Sequence, residues 1–96
     1  MRYSFFALMQ EVDAPTKEHL ERLGKDLYLL EERVNSARAN GGLRSTNCYD
    51  DFSRIRGENV QLAAYLSRMR MYPPEEESIK QILTNLNLIF IHDLGL

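Results

Sequence analysis

Leu20, Leu23, Leu27, Leu30, Val34 and Ala37 recur at alternating steps of three and four residues within the stretch Thr16 to Asn40. In an α-helix this spacing sets all six on one line, an a/d seam that must be covered by another helix. At about 1.5 Å per residue the helix would run for roughly 35 Å. Tyr28 and Leu29 lie beside the seam. They make the apolar face wider than a two-stranded coiled coil needs, which calls for packing against more than one helix.

The ends of this helix are marked. Pro15 disfavours helical geometry at Ala14, and the Thr16 hydroxyl can cap a helix that starts there. Asn40-Gly41-Gly42 is a stop, because glycine adopts left-handed C-terminal geometry without a Cβ penalty. Gly24 in the interior costs about 1 kcal/mol relative to alanine; it either permits a close helix crossing or is neutral.

Two further stripes follow. After a connection over Leu43 to Asn47, in which Thr46 or Asn47 can cap, Phe52, Ile55, Asn59, Leu62, Leu66 and Met69 repeat the same spacing. Asp50 and Asp51 occupy the favourable first turn. The short loop makes these two helices antiparallel neighbours. Tyr72-Pro73-Pro74 is expected to end the second helix. Pro74 with Glu75, Glu76 and Glu77 starts a third, carrying Ile79, Ile82, Leu83, Leu86, Ile89 and Phe90.

The chain ends admit two readings. Phe5, Leu8 and Val12 fit a helical stripe over Met1 to Val12, and the aromatic content of the same stretch suits a short strand. From Leu86 onward the apolar residues leave little polar face, so Leu88 to Ile91 is either a helix apolar on all sides or a strand. The expected fold is all-α, a bundle of three principal helices (an antiparallel hairpin plus a C-terminal helix) with a short N-terminal helix. The alternative is α+β with N- and C-terminal strands. Ninety-six residues suffice for one domain, 1–96, with a core of its own, and not for two.

The net charge of −2 exerts no overall pull toward nucleic acid or anionic lipid. The single cysteine, Cys48, has no internal disulfide partner and suits a reducing compartment. The N-terminal apolar run is short and lacks a cleavage site. No apolar run approaches the roughly 20 residues that span a bilayer. A cytoplasmic or otherwise intracellular location is expected, inside a host cell as readily as in the cell of origin, with no membrane partner.

No Rossmann fingerprint, P-loop, HExxH or CxxC pattern occurs, so no cofactor or metal site is expected. Asn59, at a seam position, is either a buried amide that fixes register or an edge residue beside Val60. Cys48 reads as a small apolar filler, and His19 as a surface residue. His92-Asp93 invites an acid–base reading, but neighbours on a helix do not face each other. Arg33, Arg38, Arg44, Arg54 and Arg56 gather near the hairpin tip. Of these, Arg54 has Asp50 and Asp51 at helical spacing. Arg38, Arg44 and Arg56 have no acid three or four positions away, which makes these three the candidate partner-binding residues. Leu88, Ile89, Phe90, Ile91 and Leu94 are the candidate oligomer interface, since contiguous exposed apolar surface marks contact sites. The function expected from these features is a small non-enzymatic protein–protein interaction module that binds itself, as a dimer, and another protein. Its role would be that of a regulator, inhibitor or adaptor. A nucleic-acid-binding regulator that uses the hairpin tip is the alternative. An enzyme with a site between subunits ranks last.

Overall fold

Three α-helices account for the regular structure of residues 11–96, the part of the chain that this computed structural model describes. They are α1 (Ala14–Ala39), α2 (Cys48–Arg68) and α3 (Pro74–Leu94). No strand occurs among the described residues, and all three helix pairs touch. The fold is all-α. The C-terminal strand of the α+β alternative is excluded, because α3 continues through Leu88 to Ile91 and ends only at Leu94. The expected N-terminal helix, Met1 to Val12, falls largely outside the described residues; Glu11 and Val12 at its end are not helical.

The first helix starts earlier than Thr16. Asp13 is the N-cap, and its Oδ1 accepts from the Thr16 N–H at 2.8 Å. Proline is tolerated here because the N–H it lacks would have no helical partner in the first turn. Thr16 therefore lies inside the helix, buried, rather than capping it. At the other end Gly41 and Gly42 have φ of +115° and +98°, and the Gly42 N–H closes on the Ala37 carbonyl at 2.7 Å. Leu43, buried at once after this turn, pins the connection to the core.

The second helix ends at Arg68, ahead of the Tyr72-Pro73-Pro74 stop. The Met71 N–H donates to Leu66 O, and the Arg70 N–H to Ser67 O. With Arg70 at φ +56°, this is the paired-bond Schellman termination, which usually employs glycine where this chain has arginine. Met69, expected as the last seam residue, is exposed in consequence. Met71 is buried instead, beside Leu66. The third helix begins at Pro74 with the three glutamates in its first turn, and closes on Gly95 at φ +70°.

The core collects one stripe from each helix. Leu20, Leu23, Leu27, Leu30 and Val34 of α1 meet Phe52, Ile55, Leu62 and Leu66 of α2 and Ile79, Leu83, Leu86 and Phe90 of α3. Each large side chain so buried stabilises the fold by about 1.5–3 kcal/mol relative to exposure. Tyr49, Phe52 and Phe90 form an aromatic cluster, with ring centroids 5.0 to 6.0 Å apart. The helices run up, down and up. The ends of α1 and α3 and the start of α2 therefore share one end of the bundle, where Arg33 meets Asp51 and Arg38 meets Asp93. At the opposite end the Tyr65 hydroxyl donates to Asp13 at 3.3 Å.

Candidate functional site

The stop at Gly41-Gly42 and the start of α2 at Cys48 bring the arginines of both helices to the hairpin end of the bundle. Most of them are engaged there. Arg33 donates from Nη1 to Asp51 at 2.5 Å and from Nη2 to the Asn47 side chain at 2.8 Å. This ties α1 to α2 and diverts the Asn47 oxygen from capping α2, whose N-cap makes no side-chain bond. Arg38 donates two bonds to Asp93 of α3, at 2.7 and 3.3 Å. Arg54 pairs with Glu58 at 3.1 Å, not with the preceding aspartates. The Arg56 guanidinium lies 5.0 Å from the centroid of the Phe52 ring, a cation–π distance.

The candidate set Arg38, Arg44 and Arg56 is therefore not a patch of three equivalent free cations. Arg38 has an acidic partner from a different helix, 55 residues away, and Arg56 has an aromatic one. Arg44 alone of the three has no such contact among the described residues. It borders an open depression with Ser36, Asn40, Ser45 and Asn47. Two acids, Asp50 and Asp51, stand at the same end, and Asp51 is taken up by Arg33. Exposed ion pairs of this kind are worth about 0.2–1 kcal/mol each.

The apolar candidates on α3 separate by face. Phe90 is fully buried against Tyr49 and Phe52 and belongs to the core of the chain's own bundle. Its place as an outward interface residue is corrected by that packing. Ile89 and Leu94 are half-buried and rest on the core. Leu88 and Ile91 remain exposed, at 60% and 42%.

Other singled-out residues take defined places. Cys48 is a core filler, 1% exposed. His92 and Asp93, although adjacent, do meet: Nδ1 lies 2.7 Å from Oδ1. The hydrogen bond from His92, and then the Arg38 guanidinium, hold the Asp93 carboxyl below its ordinary pKa. The imidazole itself lies out in solvent, with its side chain 82% exposed. His19 is half-buried rather than a surface residue, and its Nε2 is buried without a partner among the described residues. Asn59 is 5% exposed while Val60 is 62% exposed, so the amide sits in the seam and not at its edge. Glu76 of the acidic run pairs with Lys80.

One feature of the surface had no signature in the spacing of residues. Val12, Leu20, Pro73 and Pro74 line a groove of about 300 Å³ where α1 begins and the α2–α3 turn passes. Its walls lie some 50 residues apart in sequence, about the separation of Leu20 and Pro73; only the Pro-Pro pair and the apolar Val12 hint at it. Among the described residues no helix is long and apolar enough to cross a membrane. Searches with family models, against characterised proteins and against solved structures find no match to this chain, so its function must be argued from its own residues.

Proposed function

We propose that this chain is a small non-enzymatic protein–protein interaction module, a regulator, inhibitor or adaptor, that associates with itself. One observation carries the reading. The core is complete without Leu88 and Ile91, yet both are large, apolar and exposed. Leu88 is two positions from both Leu86 and Phe90, so it points about 160° away from the buried stripe. Ile91 lies one turn further along on the same outer side. Apolar side chains placed together on an outward face are what a second copy would cover.

The nucleic-acid reading draws less support, since Arg33, Arg38, Arg54 and Arg56 are engaged within the fold. An intracellular setting, in the cell of origin or in a host, accords with a lone buried thiol. The test is sedimentation at micromolar concentration on the native chain and on Leu88→Glu and Ile91→Glu. A native dimer that each variant converts to a folded monomer supports the proposal. A native chain that sediments as a monomer overturns it.

A further inference from the structure

Val60, on the outside of α2, is exposed like Leu88 and Ile91, and the three share one face of the bundle. Ser53, Gly57, Val60, Ala64 and Ser67 recur at steps of four and three along α2, so they form one line. Tyr49, one turn before that line, meets Phe90 of α3. Ser67, at its far end, borders a depression together with Glu77 of α3. The line therefore runs beside α3. Glu77, Gln81, Thr84, Leu88 and Ile91 form a matching line on α3.

This α2–α3 face is poor in free charge. None of the five residues of the α2 line is ionisable. Arg56 beside it lies over the Phe52 ring, and Lys80 of α3 pairs with Glu76. The outer side of α1, by contrast, exposes Glu18, Glu21, Arg22, Lys25 and Glu32. Depletion of charge around apolar side chains is the composition of an interface core. Arg68 and Glu77 stand where α2 ends and α3 begins, exposed and opposite in sign. Neither joins an ion pair among the described residues.

We infer that a second copy covers this face by laying its α3 on α2, with the two-fold axis running along the helices. The inference rests on the self-association proposed above and supplies its geometry. Phe52 lies beside Phe90 at one end and Ser67 near Glu77 at the other, so Ser53 and Gly57 bracket the level of Leu88. Leu88 and Ile91 of the second copy settle over Ser53 and Gly57, where no long side chain stands in the way. A Cβ at Gly57 meets nothing within 4 Å in its own copy. Arg68 comes beside Glu77 of the second copy, and symmetry makes this pair twice. An axis across the helices would instead set α3 on α3 in opposite directions. Leu88 and Ile91 would then bury Lys80 and Glu77 of the other copy, at the cost of desolvating charge. A contact through the ends of α3 alone would leave Val60 uncovered.

The test compares sedimentation of the native chain, Arg68→Glu, Glu77→Arg, an equal mixture of those two, and Val60→Glu, with circular dichroism to establish that each is folded. Each charge variant alone brings like charges together at both pairs, and should dimerise about tenfold more weakly than the native chain. The mixture should regain native association, because both pairs then unite opposite charges, which no contact within one chain can produce. Val60→Glu should weaken association at least as much as either charge variant. These results together support the arrangement. Charge variants that associate like the native chain, a mixture no better than its components, or an undisturbed Val60→Glu dimer overturn it while self-association stands. A native chain that sediments as a monomer overturns both.

Discussion

Replacing Asn59 with leucine should make the bundle more stable. Asn59 is 5% exposed, and its Nδ2 has no hydrogen-bond partner among the described residues. The flanking seam residues Ile55 and Leu62 are both buried and apolar. A buried donor left without a partner costs about 1–3 kcal/mol in lost hydration. Leucine has the same branching at Cγ and the same number of side-chain heavy atoms, so it occupies the site without opening a cavity. Its methyl groups are bulkier than the amide, and crowding a packed core typically costs about 1–3 kcal/mol when methylenes are added outright. Here the shape is kept, so the desolvation gain should win by about 1–2 kcal/mol. For a domain of this size each kcal/mol raises Tm by about 4–8 °C. Thermal and urea melts on Asn59→Leu measure the gain, and Asn59→Asp should move them the opposite way by burying a charge. A leucine variant no more stable than the native chain, with its helix content intact, would refute the reasoning. If the amide selects helix register at a cost in stability, the stabilised variant will also show broadened or doubled amide resonances.

Leu27→Ala and Leu66→Ala should each cost about 2–5 kcal/mol in denaturant melts, because both leucines are buried in the shared core. Losses near the surface level of about 0.5 kcal/mol would mean that the site does not behave as core. Gly24→Ala should stabilise by about 1 kcal/mol, the helix-propensity difference, since a Cβ there meets nothing within 4 Å; a loss would reveal a close approach at that face. Acid should destabilise the fold through Asp13 and Asp93, both held below their ordinary 3.8. For Asp13 the cause is chiefly hydrogen bonding from Thr16; for Asp93 it is the bond from His92, then Arg38. Depressed carboxyl pKa values mean that this stability is present above pH 3.8 and is lost as pH falls through the folded-state values. Asp13→Asn keeps a capping oxygen but no longer titrates, so its melting temperature should fall less steeply with acid than that of the native chain.

Spacing alone determined the parts that depend on helical period. The seam from Leu20 to Val34, its counterpart from Phe52 to Leu66 and the stripe from Ile79 to Phe90 were legible because burial repeats every three or four residues whatever the partner is. The stop at Asn40-Gly41-Gly42 and the start at Pro74 were legible for an equally local reason, since each acts within its own turn. Local rules were silent wherever a distant segment competed. Arg70 accepts a left-handed φ because Met71 gains a buried place beside Leu66, and no residue near Arg70 announces this.

Packing also divided the apolar C-terminus. Phe90 went inside because Tyr49 and Phe52 meet it there, while Leu88, equally apolar, was left outside. The arginines show the same limit most clearly. By sequence neighbours Arg38 looked unpaired, and only the parallel course of α1 and α3 sets Asp93 beside it. Periodicity follows from the geometry of one helix, which a sequence carries in full. Pairing of charges and the choice of which apolar face is covered depend on how three helices sit together, and only the tertiary structure decides that.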